Sequence, residues 1–441
     1  MHRQLSIRSR VLKIFLFIIT SVLAVFSINA AELPQNDQQI HMGVASCAAS
    51  MCHGSIISQK GSNILQSEYI IWSRKDVHSQ AYMTLLSDES KKIANKLGLD
   101  NAATASICLD CHSDNVAKEN QGDRFQISDG VGCESCHGGS VNYLSSHADS
   151  KQSHEQNIAN GLYPTDDPQK RAQLCLSCHL GNKDKQASHD IMGAGHPRLS
   201  FELDTFGILQ PLHYVVDADY KRRKWSGDSY TNWIYGQLEA NRETLKMIET
   251  NLINPDSLFP ELSLFDCYAC HHEVSDLKWS AIKGDGYKPG AVRLNDGNFK
   301  MLIAMAANTP LLTPLHQNLS LLITSLNDRE KLSAVIADLK GDIQKIQTLI
   351  VNKTPAERKS SAQLILHKIL SIGANGEFSD YIAAEQAVMA IDLLVDYTDL
   401  KRTYKKDTAE LYKLVIDPEK YNAVLFAKKL HEIHKRNVLK G

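Results

Sequence analysis

The sequence lacks a net charge of either sign, and it lacks long apolar runs beyond its first 31 residues. Its 441 residues include 48 Lys and Arg against 50 Asp and Glu, which leaves a formal net charge of -2. A balance of this kind gives no reason to expect binding to nucleic acid or to an anionic membrane surface. We therefore expect no nucleic-acid partner, and no membrane-spanning helix after residue 31.

The first 31 residues differ in character from the rest of the chain. Basic residues precede an apolar run over 14–26, and small residues follow it. The run is short for a transmembrane helix and is typical of a Sec signal peptide, with an uncleaved N-terminal anchor as the alternative. We expect residues 1–31 to be removed on export, leaving a periplasmic protein without a stable membrane anchor.

All ten cysteines fall into pairs that are followed directly by histidine. Four pairs read Cys-x-x-Cys-His, and the first has four residues between its cysteines. The motifs are Cys47, Cys52 and His53; Cys108, Cys111 and His112; Cys133, Cys136 and His137; Cys175, Cys178 and His179; and Cys267, Cys270 and His271. Two thiols reach the two vinyl groups of one porphyrin while the adjacent histidine ligates iron, so the pattern predicts five covalent haems c.

Zinc and disulfides are the competing interpretations of the cysteine pairs. Two Cys-x-x-Cys pairs can share one tetrahedral zinc ion, and export to an oxidising compartment favours disulfides. Neither requires a histidine after every second cysteine, and five pairs would leave one zinc pair without a partner. The longer first loop still lets both sulfurs reach one haem, because only the histidine beside the second cysteine must keep its position.

The composition of the chain changes near residue 296. Residues 32–295 are rich in Gly, Asp, Ser and Asn, which predicts a pentahaem cytochrome c domain of short helices and loops around haems, with a thin conventional core. One clear helix is indicated from Ile234 to Leu252, and it could pack on a haem or on the next domain. Residues 296–441 contain no cysteine and show helical spacing, as from Leu332 to Ile346. The predicted fold is therefore mainly α, with a C-terminal bundle-like helical domain.

A low-spin haem iron takes a sixth ligand, and the haem-bearing region has eight histidines outside the motifs. Five irons would leave three of them surplus. The eight are His41, His78, His147, His154, His189, His196, His213 and His272.

One segment resembles a known family. Trp72 precedes His78 by six residues, and Gly130-Val131-Gly132-Cys133-Glu134-Ser135-Cys136-His137-Gly138 follows the second motif. This arrangement, over about residues 44 to 180, resembles the tetrahaem cytochrome c-554 family, which is related to the hydroxylamine oxidoreductases and multihaem nitrite reductases. The resemblance implies that His78 and His147 are distal ligands. It implies a further distal ligand among His189, His196 and His213, with His196 preferred and His189 next.

The sequence also departs from that family. The fifth motif and the long helical region have no counterpart, and the family leaves its second haem, here the haem on His112, without a distal protein ligand. Spare histidines could close that haem in this chain.

Two functions are in contention. The first is electron transfer between redox proteins, either quinol-linked or soluble cytochromes. The second is an oxidoreductase acting on a small nitrogen or sulfur compound at an open haem. All five motifs end in histidine rather than an alternative proximal ligand, which favours the carrier, and we predict no catalytic residue. A subunit of a larger redox complex, docked through the helical domain, is a third possibility, and the oligomeric state is left open.

Overall fold

The computed structural model describes residues 32–59, 64–149, 151–223, 227–252, 260–271 and 292–438. The described chain is mainly helical, as predicted, and its β pairing consists of isolated bridges between His41 and Gln121 and between Phe265 and Leu294. None of the described helices has the length and apolar character that crossing a membrane requires. The predicted signal peptide and His272 lie outside the described residues.

Short helices make up the first half of the described chain. Polar caps begin several of them: Ser87, Ser153 and Asp167 each accept a hydrogen bond from a backbone N–H in the first turn. The helices are α1 Val44–Cys47, α2 Glu68–Lys75, α3 Ala81–Thr84, α4 Asp88–Lys96, α5 Ser106–His112, α6 Cys133–His137, α7 His154–Ala159, α8 Pro168–His179, α9 His189–Ala194, α10 Leu203–Leu209 and α11 Ala218–Arg223.

Longer helices follow. Thr354 and Glu357 form a reciprocal capping box with Pro355 at the first helical position, and the chain breaks at Gly376 between this helix and the next. These helices are α12 Ser229–Met247, α13 Gly297–Met305, α14 Leu312–Thr324, α15 Arg329–Val351, α16 Pro355–Ala374, α17 Tyr381–Tyr397, α18 Lys401–Leu414 and α19 Ala423–Val438.

The main hydrophobic core lies among the long helices. The predicted apolar stripe of α15 points into it, with Leu339 and Ile343 fully buried. Burial of each such side chain contributes roughly 1.5–3 kcal/mol. Gly373 lets α16 and α19 approach closely, since a Cβ there would overlap the Leu430 side chain. Before residue 224, the buried apolar side chains that the structure describes form small clusters, such as that around Leu85 and Leu109.

Helix α12 connects the two parts. Its Glu239 accepts hydrogen bonds from Gln169 and Gln173 on α8, at 2.9 and 3.1 Å. Its Gln237 donates to Gln386 on α17 at 2.8 Å. The helix predicted from Ile234 onward therefore packs both on the helix that ends in the fourth motif and on the C-terminal helices. The division of the chain at residue 295 stays a prediction.

Candidate functional site

Three of the Cys-His motifs end helices. The motif histidines His112, His137 and His179 are the last residues of α5, α6 and α8. Cysteines three residues apart on a helix lie on one face, so both thiols of each motif point to the same side. The first motif instead spans the end of α1 and a turn, and the fifth begins with a 3-10 turn at Cys267–Ala269. All ten cysteines are described, and all are free thiols.

Thiols of different motifs lie near one another. The Cys47 and Cys133 side chains interact, and so do those of Cys111 and Cys178. Burial raises the pKa of the Cys175 thiol to about 11, so this sulfur is protonated at neutral pH. The first motif therefore neighbours the third, and the second neighbours the fourth.

Each motif histidine faces one histidine from outside the motifs. The ring centroids of the five pairs are separated by nearly the same distance, although the partners come from different parts of the chain. The pairs are His53 with His147 at 6.1 Å, His112 with His196 at 6.3 Å, His137 with His213 at 6.1 Å, His179 with His78 at 6.0 Å and His271 with His189 at 6.2 Å.

This spacing fits an iron ion between the two rings of each pair. Two imidazoles bound through Nε2 on opposite sides of one metal, with metal–nitrogen bonds of about 2 Å, place their ring centroids about 6 Å apart. Rings in direct contact lie closer: the His179 and Phe201 centroids are 4.4 Å apart. A free thiol pair beside each histidine pair completes the set of groups that haem c needs, so the residues present fit this cofactor.

Hydrogen bonds at Nδ1 orient several of these rings. The Nδ1 atoms of His112, His147 and His196 contact backbone carbonyl oxygens at 2.7–3.0 Å. The Nδ1 atoms of His53 and His78 contact carboxylates instead. A donor Nδ1–H leaves the Nε2 lone pair free to ligate a metal.

Burial keeps two further rings neutral. It lowers the pKa of His179 and the pKa of His213 below the usual histidine range. A metal ligand must be the neutral imidazole, so this environment favours ligation. Phe201 stacks on His179 with the ring planes 19° apart and holds its orientation.

His41 and His154 do not face a motif histidine. Each contacts a carboxylate: His154 Nε2 lies 3.0 Å from Asp166, and His41 Nδ1 lies 2.8 Å from Asp114. Of the eight histidines outside the motifs, five are thus paired with motif histidines and two contact carboxylates, while His272 lies outside the described residues.

His41, Asp114 and Glu134 form a buried cluster whose ligand atoms lie within 4.8 Å of one another. The Glu134 oxygens accept backbone N–H groups of Met42, Gly43 and Ser140 at 2.7–2.8 Å. Burial alone would lower the pKa of His41, but hydrogen bonds and charge from Asp114 and Asp37 outweigh burial and raise it to about 10. The cation in this cluster is therefore the His41 imidazolium, and protein donors already occupy the carboxylate oxygens of Glu134.

The paired histidines and thiol pairs define a multihaem c-type cytochrome site, and comparison with known proteins agrees with that class. Residues 46–138, which include the first three motifs, match the family model described as cytochrome c554 and c-prime. This part of the chain is therefore a cytochrome c554-family domain, which implies covalent haem c with iron and is consistent with electron transfer and with an extracytoplasmic location. The predicted family is confirmed, over a shorter span than residues 44 to 180. No curated protein and no solved structure matches the chain.

Proposed function

We propose that the chain is a periplasmic pentahaem c-type cytochrome, exported with residues 1–31 as its signal peptide, that transfers electrons between redox partner proteins. The partners are quinol-linked or soluble cytochromes. The observation that carries this proposal is the set of five histidine pairs at 6.0–6.3 Å. Haem c bound there supplies a one-electron ferric/ferrous couple, and two histidine ligands leave it no open position.

The roles of the residues follow from their places in the pairs. Each motif supplies two thiols for thioether bonds and one proximal histidine. The distal ligand comes from elsewhere in the chain. The proposed distal ligands are His147 for the first motif, His196 for the second, His213 for the third, His78 for the fourth and His189 for the fifth.

The proximity of the motifs supports transfer along a chain of sites. The Cys47 thiol contacts Cys133, and Cys178 contacts Cys111. The Cys136 thiol lies close enough to Cys175 and Cys178 to interact with both electrostatically, so the third and fourth motifs are neighbours. His189 and His196, partners of the fifth and second motifs, lie seven residues apart around α9. The proposed order of neighbouring sites is first, third, fourth, second, fifth.

The second motif helps to decide between an electron carrier and an enzyme. The resembling family leaves the counterpart of the His112 haem without a distal ligand, and here His196 faces His112 at 6.3 Å. A haem held by both rings has no position for nitrite or hydroxylamine. The carrier is therefore favoured over an oxidoreductase for small nitrogen or sulfur compounds.

Intact mass and electron paramagnetic resonance of the purified oxidised protein test this proposal together. We expect the mass of the chain cleaved near residue 31 plus five haems, and five low-spin signals without a high-spin signal. A Cys47→Ser, Cys52→Ser variant should lose one haem and keep four. A mass with four haems in the natural protein would mean that the first motif binds no haem. A high-spin haem that binds cyanide and turns over nitrite or hydroxylamine would overturn the carrier.

A further inference from the structure

The groups that contact the Nδ1 atoms of His53, His78, His112, His147 and His196 are of two kinds, carboxylates and backbone carbonyl oxygens. His53 Nδ1 lies 3.0 Å from Glu68 Oε2, and His78 Nδ1 lies 2.8 Å from Asp76 Oδ1. In contrast, His112 and its partner His196 both contact backbone carbonyl oxygens, at 3.0 and 2.7 Å. The first and fourth pairs thus have a carboxylate bonded to one ring, whereas the second pair has a neutral acceptor on each ring.

A single helix supplies both carboxylates. Glu68 is the first residue of α2, and Asp76 directly follows its last residue, so the two lie at opposite ends of the helix. The Glu68 end is tied to the first motif by a second bond, from the Tyr69 backbone N–H to the His53 carbonyl oxygen at 2.9 Å. The Asp76 end is held by Gln210, which donates to Asp76 Oδ2 at 3.1 Å. Helix α2 therefore places one charged acceptor at the first site and one at the fourth.

A carboxylate acceptor changes the electronic character of an imidazole ligand. Partial transfer of the Nδ1 proton toward the carboxylate makes Nε2 a stronger donor, which stabilises ferric over ferrous iron. The negative charge adds to this effect, because the ferric centre carries one more positive charge than the ferrous one, and a half-buried site screens the attraction less than water does. A neutral backbone carbonyl accepts the same Nδ1–H hydrogen bond but stabilises ferric iron less, because it carries no net charge.

We propose that Glu68 and Asp76 are positioning residues that hold the first and fourth haem sites at lower reduction potentials than the second. This inference rests on the proposed function, since it takes the histidine pairs to be iron ligands. Asp76 also accepts the backbone N–H of His78 at 3.0 Å and so caps the 3-10 turn Val77–Gln80. If Asp76 acted only on the structure, its role would be to cap this turn, and its charge would not change the reduction potential.

Spectroelectrochemical titration of the holoprotein, with the variants Glu68→Gln and Asp76→Asn, separates these roles. Each amide keeps an acceptor oxygen for the ring but removes the charge, and Asn is as good a helix cap as Asp. We expect each variant to raise the potential of one of five titrating components and to leave the other four in place. If Asp76→Asn disturbs the fold, Asp76→Ser replaces it, because Ser is also an uncharged helix-capping residue. The same rise in reduction potential is expected.

Asp166→Asn is the matched control, because Asp166 contacts His154, which faces no motif histidine. It should shift none of the five components. Unchanged potentials in Glu68→Gln and Asp76→Asn, with five haems by mass and low-spin signals retained, would overturn the inference but not the proposed function. Loss of a haem from the natural protein, or a high-spin signal in it, would count against the proposed function itself.

Discussion

The buried His41 imidazolium should make stability depend on pH in a range where free histidine no longer titrates. His41 is fully buried and lies between Asp114 and Asp37, with Glu134 in the same cluster. Burial alone would lower its pKa, but Asp114 and Asp37 outweigh burial and raise it from 6.5 to about 10. A raised pKa gives stabilisation that is complete below 6.5 and is lost as the pH rises toward 10.

The size of the effect follows from the shift. Each pKa unit corresponds to about 1.4 kcal/mol, so the ionised cluster contributes about 4 kcal/mol at pH 7 and about 1.4 kcal/mol at pH 9. The cluster joins the N-terminal segment to the haem motifs: the His41 backbone bonds to Asn120 and Gly122, and Asp114 follows the second motif by two residues. Loss of the charge should therefore loosen the segment around His41.

Guanidinium unfolding of the holoprotein at pH 7 and pH 9, followed by circular dichroism, measures this contribution. The natural protein should lose about 2.5 kcal/mol more than a His41→Gln variant between the two pH values, because all other titrating groups are common to both. His154→Gln is the control, since His154 also contacts a carboxylate but is partly exposed. It should keep the natural pH dependence. Equal pH dependence in the natural protein and His41→Gln would refute the reasoning.

Three further outcomes are expected. Replacing His196 with Ala should convert one haem to a high-spin form without loss of any of the five haems from the protein mass, because His196 is the ring that faces His112. Added imidazole should return that haem to the low-spin state. Five low-spin haems in the variant without imidazole would contradict the pairing. The His53 and His147 ring planes are 10° apart, whereas those of His112 and His196 are 87° apart. Electron paramagnetic resonance should therefore resolve a rhombic low-spin signal from the nearly parallel pair and strongly anisotropic low-spin signals from nearly perpendicular pairs. Five identical signals would contradict these angles. Gly373→Ala should lower the free energy of unfolding by about 2 kcal/mol, because the new methyl group would overlap Leu430. Gly341→Ala is the comparison: a Cβ there meets no neighbour, so this variant should raise the free energy of unfolding by roughly 0.5–1 kcal/mol. Thermal unfolding followed by circular dichroism measures both variants, and equal effects would contradict the close contact of α16 and α19.

Local sequence was sufficient for the features that depend on neighbouring residues. The Cys-His motifs are short-range patterns that can be read from neighbouring residues, and three of them form the C-terminal ends of helices. The helical spacing from Leu332 to Ile346 predicted a helix with an apolar face, and this face of α15 is buried. The family was recognisable from the string around Cys133, and residues 46–138 match its model.

Only the tertiary structure decided which groups meet across long separations. His78 lies 101 residues before His179, and no local pattern joins them. Sequence offered eight candidate histidines; the fold brings five to motif histidines and turns His41 into an ion-pair partner of Asp114. Glu68, Asp76 and Phe201 carry no signal in one sequence, since their contacts with histidine rings depend on how α2 and the segment after α9 pack. The residue types thus determined which chemical groups the chain carries, and packing determined which histidines face one another.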